Sequence, residues 1–360
     1  MMDNASLLYY KSACALKLPT IVVPQVVGFS VKLGQKHYYF QGASTPFNLC
    51  ASTRMAGDKY SMNKILDSAG FPVPLARTFS KATFEQEPIQ TLINGLTFPL
   101  VVKPTAGTFD GKDVLCNIQT IPQLHAYMNR CYQHHAYLTV EAFHSGLRSY
   151  RVLVFFNKVI AITERLPASV TGDGIHTIQE LIHLENEKRR PYYHTGEMGP
   201  IVMDEECAIR LDELNVTLDT ILKDKENITL NYTSNSGRGG TERALENKLC
   251  KENARLFAKA AATLGLNLVG FDVQCENIHL PIEQSRGVII EANHNPDIIM
   301  HENPMSGVRA QISKKIVRKL IIQHPIHYFI ALYHTKSSSF YIKSFFISIA
   351  FLVCKSLVTS

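Results

Sequence analysis

Short apolar runs rich in β-branched and aromatic residues alternate along the chain with stretches of helical periodicity. Such runs are typical of buried strands, and the periodic stretches are typical of helices that bury one face, so the pattern predicts an α/β (α+β) protein. The predicted strands are residues 20–23, 36–40, 98–104, 137–143, 150–159, 270–274 and 287–293. The predicted helices are residues 58–69, a segment around 180–184, and 249–264.

The last two predicted strands carry oxygen-bearing side chains. Asp272 is the only acid of the first strand, while Glu291 and Asn293 stand two residues apart on the second and project from one face. The two strands read as a hairpin with a loop at about residues 275–286. Hard oxygen ligands without His or Cys suit Mg²⁺ bound together with substrate phosphates. The alternative is an edge hairpin with solvated acids.

Two glycine-rich loops stand out between the predicted elements. Lys103 ends a strand, and Gly107 and Gly111 follow in the next turn. A lysine beside backbone N–H groups of such a turn can cradle a polyphosphate, although the spacing is not that of a P-loop. An ordinary hairpin turn is the alternative. The second loop, residues 235–240, places Arg238 at its centre.

Composition limits the class of protein. With 360 residues, of which 46% are hydrophobic, the chain can bury one large core or two to three smaller ones. The net charge of +6 comes from scattered residues and accompanies no nucleic-acid-binding motif, so we expect anionic small ligands and no nucleic acid. The eight cysteines lack CxxC or zinc spacing, which favours buried reduced thiols in a cytoplasmic protein.

The two ends of the chain carry no clear targeting signal. The first residues lack the basic start and long apolar core of a signal peptide. Residues 345–354 form an apolar run between Lys343 and Lys355, shorter than the ~20 residues that a spanning helix needs. This run is compatible with an interfacial or partner-binding tail and with a plain terminal helix. We expect a cytoplasmic enzyme whose tail has no assigned role, with membrane association through the tail as the less favoured alternative.

Seven motifs follow one another in a characteristic order: residues 58–59 with 69–74, 99–104 with the glycine loop after it, 140–143, 171–178, 235–240, 270–272 and 291–293. With these motifs the chain resembles the ATP-grasp superfamily of carboxylate–amine ligases, over about residues 35–320. The resemblance is to the ATP-grasp modules of cyanophycin synthetases and of bifunctional glutathione-synthesising enzymes.

The resemblance implies an ATP-grasp fold, in which two α/β lobes grip ATP. We expect a small N-terminal α/β lead-in at residues 1–57 and an ATP-grasp domain at 58–322. A mobile lid would lie at about 92–140, and residues 323–360 would form a tail of unknown role. The resemblance also implies a homodimer.

The resemblance assigns roles to individual residues. Those implied for ATP binding are Lys59, Lys103, Gly107, Thr108, Gly111, Lys112, Glu141 and Phe143. The two lysines would hold the α- and β-phosphates, the glycine loop would cover the triphosphate, and the last two positions would bind adenine.

The remaining implied roles concern catalysis and metal binding. Arg151 and Arg238 would stabilise the transferring phosphoryl group and the acyl phosphate. Asp272, Glu291 and Asn293 would bind two Mg²⁺ ions, for which Mn²⁺ is a substitute.

Three features depart from the family's pattern. Arg148 or Ser149 stands where relatives carry an acid for the ribose hydroxyls. Asp110 and Asp113 occupy the loop where relatives have small residues, and acids there would repel phosphate unless they point away. Residues 295–297 read Asn-Pro-Asp where relatives have Pro-Gly after the metal motif.

The implied activity is an ATP- and Mg²⁺-dependent ligase that activates a carboxylate as an acyl phosphate and joins it to an amine. Small-molecule or peptide substrates are expected, with an amino acid or a peptide as the partner. One alternative is a degenerate ATP-grasp protein that binds nucleotide as a sensor or scaffold without turnover, which the departures favour and the retained metal and arginine positions oppose. Another is a membrane-associated peptide-modifying enzyme that docks through residues 325–360.

Overall fold

The structure, a computed structural model, describes residues 2–106, 112–195, 198–335, 343–344 and 347–348. The chain divides into two compact units. Residues 1–46, 297–302 and 311–360 form the first, which we call the terminal unit. Residues 47–296 and 303–310 form the second, the central unit.

Helices and strands alternate through the described part of the chain. The helices are α1 (Asn4–Ala15), α2 (Cys50–Gly57), α3 (Lys59–Ser68), α4 (Lys81–Gln86), α5 (Ile89–Leu92), α6 (Ile121–Cys131), α7 (Ile178–Arg189), α8 (Glu205–Glu213), α9 (Lys251–Thr263), α10 (Ile299–Glu302), α11 (Ile312–Gln323) and α12 (Pro325–His334). The strands are β1 (Thr20–Val23), β2 (Gly28–Leu33), β3 (Lys36–Phe40), β4 (Ala76–Ser80), β5 (Leu100–Pro104), β6 (Leu115–Ile118), β7 (Tyr137–Ala142), β8 (Arg148–Phe155), β9 (Lys158–Leu166), β10 (Ser169–Thr171), β11 (Asn227–Thr229), β12 (Thr241–Leu245), β13 (Leu268–Cys275), β14 (Val288–Asn293) and β15 (Ser306–Gly307).

The terminal unit is built on the antiparallel sheet β1-β2-β3, and α1 packs against both this sheet and α11. Its core contains three aromatic side chains that are almost fully buried. The rings of Phe29 and Phe40 are stacked with centroids 4.9 Å apart, and Tyr9 lies 5.3 Å from Phe40. Aromatic burial of this kind stabilises a small sheet that could not stand alone.

The central unit contains two larger sheets. One has the strand order β4-β7-β5-β6, and the other has the order β14-β13-β8-β9-β12-β15. Helix α9 covers one face of the six-stranded sheet, where Phe257 packs on Phe271 with ring centroids 5.9 Å apart. A third, two-stranded sheet pairs β10 with β11.

One predicted strand is wrong. Residues 150–159 were expected to form a single strand, but the chain turns at Phe156 and Asn157, whose φ angles are +43° and +58°. Asparagine tolerates this left-handed conformation better than most residues do. The turn makes β8 and β9 neighbours in an antiparallel hairpin, and β9 runs on to Leu166.

The start of α3 is set by local chemistry. The side chain of Asp58 accepts a hydrogen bond from Ser61 N at 2.7 Å, which caps the helix. Gly70, with φ of +78°, follows the last turn, where a left-handed residue commonly ends a helix. The cap fixes Lys59 as the first helical residue.

The cysteines and the helices bear on two further expectations, buried thiols and the lack of a spanning helix. The described cysteines are free thiols; Cys131, Cys207 and Cys275 are buried, but Cys14 and Cys50 are exposed, so general burial was wrong. Among the described helices, none combines the length and apolar character needed to cross a bilayer.

We expect Phe257→Ala to lower the free energy of unfolding by about 3–5 kcal/mol, because it leaves a cavity against Phe271. Arg255→Ala, on the exposed face of the same helix, should change it by about 0.5 kcal/mol or less. Urea unfolding measures both. A loss below about 1 kcal/mol for Phe257→Ala would contradict the packing described.

Candidate functional site

Three neighbouring strands of the six-stranded sheet bring the predicted polar residues into one row. Asp272 on β13 lies opposite Glu291 on β14 and, on its other side, opposite Arg151 on β8. A bulge beside Asp272 shifts the register between β13 and β14. Cross-strand partners share a face, so these side chains project together. Asn293, two residues after Glu291, joins the same face.

The Asp272 carboxylate is held by two guanidinium groups. Arg151 Nε lies 2.5 Å from Asp272 Oδ1, and Arg165 Nη1 lies 3.3 Å from Oδ2. Asn293 Nδ2 donates to the same Oδ2 at 3.3 Å. Burial by itself would raise the pKa of Asp272, but the two arginines outweigh it and hold this pKa below its ordinary value of 3.8. Asp272 is therefore ionised at neutral pH.

Arg165 was missed by the sequence analysis. The predicted strand stopped at residue 159, whereas β9 continues to Leu166 and carries Arg165 opposite Glu242 of β12. Thr163 lies opposite Arg151, and side chains two residues apart on a strand share a face. A predicted strand that continued past Thr163 would therefore have placed Arg165 on the face of Arg151.

Lys59 connects the two large sheets of the central unit. Its Nζ lies 3.7 Å from Glu291 Oε1 on the six-stranded sheet. Its backbone N–H donates to the carbonyl of Thr105 at 2.9 Å, immediately after β5 of the four-stranded sheet. One residue at a capped helix start thus contacts the chain after Lys103 and the acid of β14.

Lys103 and Glu141 form a buried ion pair on the four-stranded sheet. Lys103 Nζ donates to Glu141 Oε1 at 2.7 Å, and each side chain is only 6% exposed. A buried charge of either sign is costly without its partner, so the two residues depend on each other. Phe143, just beyond Glu141, packs its ring at a right angle to Tyr232, with centroids 5.1 Å apart.

Arg238 forms ion pairs with residues other than the partner of Arg151. The side chain of Asn235 caps the short turn that carries it, accepting from Gly237 N at 2.8 Å. Arg238 pairs with Asp204 and, at 3.2 Å, with the buried Glu206. Burial raises the pKa of Glu206 above its usual range, and Arg238 opposes this effect.

The sequence analysis also missed Asp204 and Glu206. Glu206 accepts hydrogen bonds from the backbone of Tyr232 and Thr233 at 3.0 and 2.8 Å. Nothing in the local pattern separates it from a solvated acid in the first turn of α8, where acids are common.

The thiol of Cys116 on β6 is influenced by both Glu141 and Glu206. Burial raises the pKa of its thiol, and the negative charges of Glu206 and then Glu141 raise it further. Both carboxylates therefore act on one side chain. Asn117 of β6 donates to the hydroxyl of Tyr232 at 2.6 Å, and Tyr232 N donates to Glu206, so β6 lies beside the segment that holds Glu206.

Part of the predicted phosphate loop cannot be placed. Gly107, Thr108 and Gly111 lie outside the described residues, as does Asp110. Lys112 is described and exposed.

Two of the departures from the family pattern have identifiable partners. Asp113 lies 2.8 Å from His135 Nε2, so an imidazole engages this acid. Arg148, at the position expected to hold a ribose-binding acid, pairs with the buried Glu164 of β9.

The donor set on β13 and β14 suits a hard cation that is only partly bound by protein. It offers two carboxylates and one amide, all with oxygen donors. Within the residues that the structure describes, no group of three or more His, Cys, Asp or Glu side chains could hold a metal ion. Mg²⁺ commonly binds through one or two carboxylates and completes its shell with water and substrate phosphates. The residues present fit that mode of binding.

Protonation of Asp272 should destabilise the fold. Because its folded pKa lies below that of the unfolded chain, ionised Asp272 stabilises the protein above about pH 5, and this contribution is lost as pH falls through the folded pKa. We expect the free energy of unfolding to fall less steeply below about pH 5 in Asp272→Asn than in the unchanged protein. The variant should also lose about 3–5 kcal/mol at neutral pH, since the arginines keep their buried charge.

Urea unfolding at several pH values measures both effects. Asp212→Asn, an exposed acid of α8, serves as the control and should keep the original slope. Equal slopes for Asp272→Asn and the unchanged protein would show that the arginines do not perturb this carboxylate.

Comparisons with known proteins give relatives of two kinds, while no family model matches the chain. The cyanophycin synthetase of Crocosphaera subtropica is 31% identical over 273 residues, which are 75% of this chain and 31% of that protein. The glutathione biosynthesis bifunctional protein of Listeria innocua is 26% identical over 320 residues, covering 88% of this chain and 41% of the relative. The chain thus spans well under half the length of these relatives.

A solved structure shares the fold. The bifunctional glutathione synthetase from Pasteurella multocida superimposes with a TM-score of 0.61 at 21% identity, over 89% of this chain and 44% of that one. The predicted α/β class is confirmed, and so is the resemblance stated from the motifs. The chain is thus similar in sequence to cyanophycin synthetases and to bifunctional glutathione-synthesising proteins, and it shares the fold of a glutathione synthetase.

Proposed function

We propose that the protein is an ATP- and Mg²⁺-dependent ligase that joins a carboxylate to an amine through an acyl phosphate. The observation that carries the proposal is the position of Lys59, whose ammonium reaches Glu291 while its backbone holds the end of β5. This contact supports one continuous site in which cations from the four-stranded side face the acids of β13 and β14.

The two lysines would bind the phosphates of ATP. Each is paired with a carboxylate in the structure, Lys59 with Glu291 and Lys103 with Glu141. A polyanion entering the site would share these ammonium groups with the acids. Phosphoryl transfer depends mainly on positioning and charge neutralisation, for which lysines before a triphosphate are suited.

Asp272, Glu291 and Asn293 would hold Mg²⁺, and Mn²⁺ would be accepted in its place. When bound, the metal neutralises charge on the phosphate oxygens. Asn293 directs its Nδ2 at Asp272, which leaves its Oδ1 as the donor for a cation. Arg151 and Arg165 keep Asp272 ionised and fixed in orientation, and a cation would share this carboxylate with them.

The chemistry would proceed in two steps. A substrate carboxylate oxygen attacks the γ-phosphorus of ATP, the bond to the bridging oxygen breaks, and ADP leaves. The amine then attacks the acyl carbon, phosphate leaves with the electron pair of the C–O bond, and the amine loses a proton. Arg151, Arg165 and Arg238 carry planar guanidinium groups, which match phosphoryl and carboxylate oxygens.

The substrate class we propose is a small-molecule or peptide carboxylate with an amino acid or peptide amine. The relatives are named for cyanophycin and glutathione synthesis. Only the ligase class, and neither product, is carried over to this chain, because it spans a minor part of each relative.

A second candidate function is nucleotide binding without turnover. The observation that favours it is the strong engagement of Asp272 by Arg151 and Arg165, which competes with metal binding. Its hallmark would be ATP affinity without any substrate-dependent release of phosphate.

Lys59→Ala should weaken Mg-ATP binding by about tenfold or more, because it removes a charge-assisted contact with phosphate. Lys64→Ala, on an exposed part of the same helix, should bind as the unchanged protein does. Isothermal titration calorimetry measures both affinities. If Lys59→Ala binds Mg-ATP normally, the ammonium of Lys59 is not a phosphate ligand.

Phosphate release from Mg-ATP, measured across pools of amino acids and dipeptides, tests the activity. We expect release with a particular pool, and a loss of about 100-fold in Glu291→Gln, because the metal and Lys59 both lose a charged partner. Glu283→Gln changes an exposed acid in the same hairpin loop and should retain the rate. ATP binding without release in any pool would favour the second candidate, and release that persists in Glu291→Gln would contradict the proposed site.

A further inference from the structure

Basic residues are scattered along the whole chain, but only after residue 302 do they occur without acids. No Asp or Glu occurs after Glu302. The basic residues beyond that point are Arg309, Lys314, Lys315, Arg318, Lys319, Lys336, Lys343 and Lys355. Since the whole chain carries a net charge of +6, residues 1–302 are slightly acidic, and the excess of positive charge lies entirely in the remainder.

Helix α12, in the terminal unit, is held on one side by two hydrogen-bonding contacts. Tyr328 Oη donates to the carbonyl of Leu16 at 2.7 Å, and His324, which precedes the helix, lies 2.5 Å from the hydroxyl of Tyr38. These two residues are four apart and therefore share a face. No residue of α12 is buried.

The opposite side of α12 presents apolar side chains to solvent. Ile326 is 72% exposed, Ile330 48% and Tyr333 39%. Their spacing of four and three residues places them on one stripe, about half a turn away from Tyr328. Exposure of this apolar stripe to water is unfavourable, so burial against an apolar partner would stabilise it.

Helix α11, which precedes α12 and contacts it, also exposes cations. Its buried side is formed by Ile312, Ile316, Val317 and Leu320. Its exposed side carries Lys315, Arg318 and the 65% exposed Ile322. Their spacing of three and four residues again defines one face. We call the exposed stripe of α12 together with this face of α11 the apolar-cationic face.

We propose that the apolar-cationic face binds an anionic lipid surface. Interfacial helices of this kind combine an apolar stripe, which enters the boundary of the acyl chains, with Lys and Arg that contact charged headgroups. A nucleic acid would use the cations and leave the isoleucines in water. An apolar protein partner would use the isoleucines without requiring a region free of acids. Anionic lipid accounts for both features.

The sequence after α12 has the same character. Residues 336–360 contain the apolar run 345–354 with Lys343 and Lys355 beside it, and they contain no acid. A surface contact of this kind is independent of the proposed ligase activity, and the two can fail separately.

Flotation of the full chain with vesicles tests the proposal. Vesicles of phosphatidylcholine mixed with phosphatidylglycerol are compared with vesicles of phosphatidylcholine alone, at low and high salt. We expect binding to the anionic vesicles that weakens as salt rises. Lys315→Glu/Arg318→Glu should weaken the partition coefficient by about tenfold or more, since each cation near the surface contributes separately. Ile326→Ser/Ile330→Ser should weaken it to a similar extent.

Matched controls lie in the central unit. Ile175→Ser/Ile221→Ser replaces isoleucines that are 72% and 54% exposed, and Arg255→Glu/Lys259→Glu reverses two exposed cations of α9. Both should bind vesicles as the unchanged protein does, and circular dichroism melting should show all four variants folded.

Four outcomes would overturn the proposal. The first is absence of flotation with anionic vesicles at low salt, and the second is equal binding by the test variants and the controls. The third is binding of duplex DNA by a protein that does not bind vesicles, which would assign the cations to nucleic acid. A dimer that Ile326→Ser/Ile330→Ser converts to a monomer, with no vesicle binding, would assign the stripe to a second copy and would equally reject lipid.

Discussion

The ionised carboxylate of Asp272 sits inside a sheet, and two guanidinium groups on neighbouring strands compensate its charge. Arg151 stands directly across from it, and Arg165 reaches it from one strand further away. A buried acid without these partners would be protonated or would destabilise the fold. The registers of β8, β9 and β13 are therefore tied to one charge, and a slip of one residue would turn all these side chains to the opposite face.

The same compensation makes the site usable. Glu291 and Glu141 are balanced by Lys59 and Lys103, and Glu206 is balanced by Arg238. Each of these acids has a cation within reach, so in the proposed function a phosphate group would meet positive side chains already in place. Preorganised charge of this kind costs no rearrangement when the substrate binds.

Much of the fold and of the site could be predicted from the sequence, because the signals are local. The apolar runs of β13 and β14 predicted the hairpin, the two-residue spacing predicted the shared face of Glu291 and Asn293, and the helical periodicity of residues 58–69 placed Lys59 at the start of a helix. What the sequence analysis missed is non-local. Arg165 acquires its role from the pairing of β9 with β8, and Glu206 from a fold that buries the first turn of α8 beneath Tyr232. The spacing of residues along the sequence does not predict either of these contacts between distant segments.

The proposed function requires a cation and a triphosphate to bind together at the face formed by β13 and β14. The most direct measurement is electron paramagnetic resonance of Mn²⁺ added to the protein with a non-hydrolysable ATP analogue. We predict weak Mn²⁺ binding alone, since the protein supplies only part of the shell, and tight binding with the analogue that Asn293→Leu reduces. Mn²⁺ that binds equally with and without the analogue, or that is unaffected by Asn293→Leu, would contradict the proposed site.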